Sequence, residues 1–302
     1  MNHKKRTAPW VLTQRALFLA LGLMALPVEA ASQQRSKSAI EQVPPPALVR
    51  TASRREVRRF GYGGTLTIYG APQGSITIEA WPQSQVEITA EIELRADTEE
   101  DLTRLARVNN FLLDQDANHI RLITTGTHDR QFMRRVAKDF PKKLLALPWK
   151  IDYCIRVPMA IDLEVNAGHG AFHVAGVEGA VRLSATESNA RLAPAGGSLA
   201  VMVERGSVHL NVTSRSWRGR GAEVRLAQGD MTIELPANFN ADIDAQVLHS
   251  GRIENAYSAF TPREDTPATT QHLRARAGMG GALLSFTVGT GTIRVIHTSD
   301  NK

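Results

Sequence analysis

The chain of 302 residues has one cysteine, Cys154. No intrachain disulfide can form, so its stability has to come from packing alone. Aromatic residues are also scarce, at 6% with four Trp and four Tyr, and charged residues make up 22%. Both figures suit a β-rich exported protein with an aliphatic core. No apolar run approaches the roughly 20 residues of a membrane-spanning helix. Among catalytic signatures there is no Gly-x-Ser-x-Gly elbow and no His-Glu-x-x-His, and Cys154 has no identifiable base beside it. Nucleophilic and zinc-dependent hydrolysis therefore lack support. Repeated Gly-Gly-x-Gly-x-Asp is missing too, which removes the repeat-bound calcium of one class of β-helix. No cofactor or metal is expected.

Residues 1–30 read as a signal peptide. Lys4, Lys5, Arg6 and Arg15 precede an apolar run over 16–26, followed by Pro27-Val28-Glu29-Ala30. This basic, apolar, small-residue order predicts cleavage after Ala30. No cysteine follows the run, so a lipid-anchored mature form is not expected. The segment carries +3 of the formal charge of +6, which leaves +3 on the mature chain. Export implies a periplasmic, cell-surface or secreted protein without a transmembrane segment, and it makes nucleic acid an improbable partner. Residues 31–60 hold Pro44-Pro45-Pro46 and Arg50, Arg54, Arg55, Arg58 and Arg59 without apolar periodicity. They are expected to be a disordered basic linker.

Residues 61–150 read as a small α/β portion. Leu66/Ile68 and Ile76/Ile78 alternate with polar neighbours about Gly74. A strand over 86–94 places its Glu residues on a face expected to be solvated. Thr98, with Asp101 three residues on, opens the one short helix expected. Leu112 and Leu122 flank a hairpin about Asp116-Ala117-Asn118-His119. Residues 128–150 then mix Arg130, Arg134, Arg135, Lys138, Lys142, Lys143 and Lys150 with Phe132, Met133, Phe140, Leu144, Leu145 and Trp149. This basic insertion is expected to cap an open end of the fold, and peripheral contact with a membrane is the alternative.

From 151 to 298 one pattern recurs. Two short alternating apolar runs flank a turn dipeptide: His169-Gly170, Ser188-Asn189, Arg205-Gly206, Gln228-Gly229, Ser250-Gly251 and Thr290-Gly291. Spacing near twenty residues predicts a β-solenoid, in which each coil buries its apolar face only by stacking. At roughly 1.5–3 kcal/mol per buried aliphatic side chain, four or five per coil can offset the ordering entropy of stacked coils but not of an isolated one. The last two turns are 40 residues apart because of an insertion at 257–281.

Gly74-Ser75-Ile76-Thr77-Ile78-Glu79-Ala80-Trp81, Val157-Pro158, Val-x-Leu-x-x-Gly-Asp-Met-Thr-Ile-x-Leu-Pro at 224–236 and Thr287-Val288-Gly289-Thr290-Gly291-Thr292-Ile293 carry a resemblance. The chain resembles the bacterial putative-adhesin family of unknown function, whose members are exported β-solenoids. The resemblance spans about 64–295 and implies an all-β, single-stranded, right-handed β-helix-like fold. It implies no catalytic residue.

Four groups of residues bear on chemistry. Gly168-His169-Gly170 is similar to the Gly-His-Gly of polygalacturonases, but glycoside hydrolysis needs paired carboxylates that have no counterpart here. Asp242 and Asp244 share a strand face and could meet a hard cation, although a solvated edge suits them better. His173 and His209 could align on one outer face. Arg215, Trp217, Arg218 and Arg220 lie in one connecting loop, where Arg and an exposed Trp would suit a sugar or an anionic polymer. They are the candidate ligand-contact surface. The function expected is that of a non-enzymatic adhesin-like binder of an envelope or extracellular glycan or protein. The alternatives are a polysaccharide-acting enzyme and a structural or signalling accessory of the envelope.

Overall fold

A computed structural model of the chain describes residues 46–61, 63–70, 72–262 and 268–298. The expected signal peptide and the first half of the expected linker lie outside them. The described chain is mostly β, with one large open sheet and two α-helices. It begins with β1 (Leu48–Arg59), β2 (Thr65–Tyr69), β3 (Ile76–Trp81) and β4 (Gln85–Ala96). The helix α1 (Glu99–Val108) follows, its Thr98 side chain accepting from the Asp101 N–H. Next come β5 (Asn110–Gln115), β6 (His119–Thr125), α2 (Arg130–Val136) and a 3-10 turn (Lys142–Leu144).

The second half runs from β7 (Trp149–Pro158) through β8 (Asp162–His169), β9 (Phe172–Ala175), β10 (Ala180–Ala193) and β11 (Ser198–Asn211). It ends with β12 (Gly221–Leu235), β13 (Ala241–Asn255), β14 (Phe260–Pro262), β15 (His272–Ala277) and β16 (Leu283–His297). The sheet crosses the boundary expected at 150/151 without a break, since β7 pairs with both β3 and β4.

The repeat is a parallel ladder whose register is unbroken from β10 through β11 and β12 to β16 and shifts by one residue only between β16 and β13. Val181 pairs with Leu199, Leu199 with Ala222, and Ala222 with Leu284. Within β10, β11, β12 and β16 the buried positions change parity at the bend. In β10 they are Val181, Leu183 and Ala185 before it and Ala190 and Leu192 after it. An unbroken strand with a period of two would turn the second set outward. The bend prevents this, and both halves feed one hydrophobic cluster.

Glycine makes the bend possible. Gly206 and Gly229 hold φ of +126° and +132°. A Cβ at either would come far inside 3.0 Å of the carbonyl oxygen of the strand below. In β10 the equivalent position is Ser188, paired with Gly206, and not the expected turn residue Asn189. It is buried, without positive φ.

Three features depart from the sequence reading. Residues 48–59, expected to belong to a disordered linker, form β1 antiparallel to β4. Arg50, Arg54 and Arg58 are half-buried, and Val49, Arg55, Val57 and Arg59 are exposed, so the strand carries no apolar periodicity for the sequence to show. The 128–150 insertion contributes a second helix, α2, beyond the single one expected. Asp129 begins it by accepting from the Gln131 and Phe132 N–H groups. Finally, β16 lies between β12 and β13, so the last repeat in sequence is not last in space. The insertion at 257–281 supplies the chain for this return, and its β15 pairs antiparallel along the outer side of β13.

The Glu row on β4 is also different from a solvated face. Glu87 is buried, pairs with Arg55 of the neighbouring β1 and stands 3.5 Å from Arg156. Of the three, only Glu91 is exposed.

Candidate binding surfaces

The ladder puts every second side chain of its first-half strands on an outer face, in columns set by register. One column runs Glu164, Arg182, Ala200, Glu223 and Ser285, and the next Asn166, Ser184, Met202, Arg225 and Thr287. The long side chains tie themselves together: Arg182 Nη1 lies 3.1 Å from Glu164 Oε1, and Arg225 pairs with Glu223. Ala200 is the short member of its column, standing between Arg182 and Glu223. The space its missing side chain leaves is part of a depression of about 410 Å³ lined by Glu164, Arg182, Ala200, Met202, Glu223 and Arg225. Met202 is 52% exposed there, an apolar side chain within a neutralised charged rim. The sequence showed the alternation, but not that Ala200 would sit between two long ion-paired neighbours.

The expected contact loop is arranged differently. Trp217 is only 7% exposed, and its Nε1 donates to the Gly197 carbonyl at 3.0 Å. The aromatic ring is thus part of the core and not a stacking platform. Arg218 Nη1 is 3.8 Å from Glu178, and the Arg215 carbonyl accepts from the Asn240 N–H. Arg215, Arg218 and Arg220 remain on the surface, but without Trp217 they make a bare cationic loop.

The acidic and histidine candidates are tied into the sheet. Asp242 lies 3.1 Å from Arg276 Nε, and Asp244 lies 3.1 Å from Arg274 Nε and 3.3 Å from His272 Nε2. They join β13 to β15 across an edge that was expected to be solvated. His169 lies 3.4 Å from Glu187, while His209 Nε2 lies 3.1 Å from Glu234 Oε1. His169 and His173 are four apart in sequence but sit on β8 and β9, on opposite sides of the bend at Gly170. Among the described residues no group of three or more His, Cys, Asp or Glu is placed to hold a metal ion. Cys154 is exposed.

The basic insertion packs by its apolar residues. Leu144 and Met133 are buried, and Phe140, Leu147 and Trp149 are partly buried against the core. Lys143 Nζ reaches Asp101 Oδ2 at 2.9 Å, tying the segment to α1. That bond, working against desolvation, holds the Asp101 carboxyl below the usual carboxylate range. His128 stacks on Trp149 at 5.4 Å between ring centroids, and burial lowers its pKa. Arg130, Arg134, Lys138 and Lys142 surround a groove of about 810 Å³ beside it. Among the described residues no helix is long and apolar enough to cross a membrane.

No family model and no curated protein matches the sequence. Among solved structures, a putative cell adhesion protein from Clostridium sporogenes aligns with 82% of this chain and 100% of its own, at 10% identity and a TM-score of 0.44. A putative adhesin from Bacteroides fragilis aligns over 83% of this chain and 99% of its own, at 10% identity and a TM-score of 0.26. Likeness at this level carries neither function nor ligand from one chain to another.

Proposed function

We propose that this chain is an exported β-solenoid that acts as a non-enzymatic, adhesin-like binder of a cell-envelope or extracellular polymer or protein. The observation that carries it is the depression at Ala200 and Met202. It sits on a flat face whose charges are already paired, so a neutral or zwitterionic partner can enter without stranding a buried charge. Parallel columns at the roughly 4.8 Å strand spacing also suit a partner that is itself repetitive.

Against catalysis stands the engagement of Asp242 and Asp244 with Arg276 and Arg274 across the β13–β15 edge, because glycoside hydrolysis needs two carboxyl groups that face the substrate.

The test is capture from fractionated envelope material, beside a glycan array, with the protein starting at Ala31. Wild type should retain a partner that Ala200→Arg loses, with the melting temperature unchanged. Retention by Ala200→Arg would remove this face from the reading. Release of cleaved oligosaccharide from a captured glycan would replace the binder with an enzyme.

A further inference from the structure

Residues 128–150 carry seven Lys and Arg against Asp129 and Asp139, and the outer-face binding leaves them unused. Lys143 pairs with Asp101, and Lys150 with Glu93 and Asp152. Among the described residues, Arg130, Arg134, Arg135, Lys138 and Lys142 have no carboxylate within the 4.0 Å of an ion pair. Four of these five line the groove, and Phe140 and Leu145 lie among them. A second groove of about 580 Å³ adjoins it and shares Ala137, Lys138 and Phe140. Leu145 in the first is 42% exposed, and Val136 in the second is 58% exposed.

Two costs therefore meet at one place. Like charges are held close together without counter-charge, and aliphatic side chains are held in water between them. A soluble polyanion would relieve only the first, and an apolar partner only the second. The surface of a bilayer with anionic headgroups relieves both, because phosphates lie just above the boundary at which acyl chains begin. The apolar residues beneath, Met133 and Leu144, are buried, so the segment is held in shape before it binds.

We propose that this groove and its rim dock on a bilayer containing anionic phospholipid. Headgroup phosphates meet Arg130, Arg134, Lys138 and Lys142, and Leu145 and Val136 enter the acyl boundary. The proposal rests on the export reading only in that this face must meet a membrane. The groove and the depression at Ala200 share no residue, so each can fail without the other.

Vesicle flotation tests it, using phosphatidylcholine alone and phosphatidylcholine with about one-third phosphatidylglycerol, the anionic fraction chosen to give the few tens of millivolts of a charged leaflet. Wild type should float only with the second. At roughly fivefold per cation near such a surface, Arg134→Gln/Lys138→Gln/Lys142→Gln should weaken binding about 100-fold. Leu145→Ser/Val136→Ser should weaken it as well while leaving its salt dependence in place, and Ala200→Arg should leave it unchanged. All the substituted side chains are solvent-facing, and circular dichroism melts identify any variant that loses the fold. Equal flotation with both vesicle types, or undiminished binding by the triple variant, overturns the proposal. So does loss to the cation changes alone with full displacement by polyglutamate, which would mark a plain polyanion site.

Discussion

Two substitutions at one column of the ladder should act in opposite directions. Gly206, Gly229 and Gly291 stack at the bend, and Ser188 continues the column next to Gly206. In Gly229→Ala the new Cβ meets the Gly206 carbonyl far inside 3.0 Å, at a backbone φ of +132°. Such a conformation costs a non-glycine residue about 1–3 kcal/mol. Forcing two packed strands apart adds about as much. Together the loss is about 4 kcal/mol, or roughly 8–16 °C in melting temperature for a domain of this size. Ser188→Ala removes instead a buried hydroxyl that has no partner, without changing the backbone. The desolvation of an unsatisfied hydroxyl costs about 1–3 kcal/mol, so this change should be neutral or raise the melting temperature. Circular dichroism at fixed pH and salt measures both. If Gly229→Ala melts with the wild type, or Ser188→Ala falls as far as Gly229→Ala, then close strand approach does not set the bend.

Further outcomes follow from burial and charge. Leu210 is fully buried, so Leu210→Asp should cost more than about 3 kcal/mol, as an unpaired interior carboxylate does. His209→Asp, one residue away, should cost far less, yet more than His209→Gln, because the new carboxylate would face Glu234; urea midpoints rank the three. Trp217→Phe should lose about 1 kcal/mol, leaving the Gly197 carbonyl without the indole donor, with no effect on partner capture.

Acid should destabilise the fold. Glu56 is held low by its bond from Arg54 and Glu254 by those from Arg252 and Arg294. For Asp152, burial raises the pKa but is outweighed by the Ser75 N–H and O–H and by Lys150. Carboxyls with depressed folded-state pKa values stabilise above their unfolded values near 4, and this is lost as pH falls through the lower folded values. Urea midpoints should thus drop below about pH 4, after a smaller fall between pH 7 and 5 because burial lowers the His128 pKa and the unfolded chain gains that proton first; a midpoint unchanged at pH 3 would contradict these pairings.

Local patterning was legible where one residue's neighbours suffice. The period-two runs at Leu163/Val165, Val201/Val203 and Leu284/Phe286 became strands facing the core, because alternation alone assigns faces. Thr98 and Asp101 marked the start of α1 by a cap that spans three residues. Pro158 ended β7, since it has no N–H to continue the ladder.

Pairing was beyond such signals. Trp217 looked like a loop aromatic beside arginines, and only the Gly197 carbonyl, twenty residues away in sequence, shows why it folds inward. Glu87 had the same alternation as Glu91, and the difference arises from Arg55 on a strand with no apolar signature. The depression at Ala200 required its neighbours in register on β10 and β12, which no single strand specifies.

By itself, then, the sequence determined the inward face of each alternating run and the turn dipeptide at which each repeat bends, because backbone geometry links a side chain's direction to its immediate neighbours. Only the tertiary structure decided which strand lies beside which. It placed β16 between β12 and β13 and brought β1 onto β4. Strand edges carry the same N–H and C=O groups whatever their side chains, so partner choice is a property of the assembled sheet.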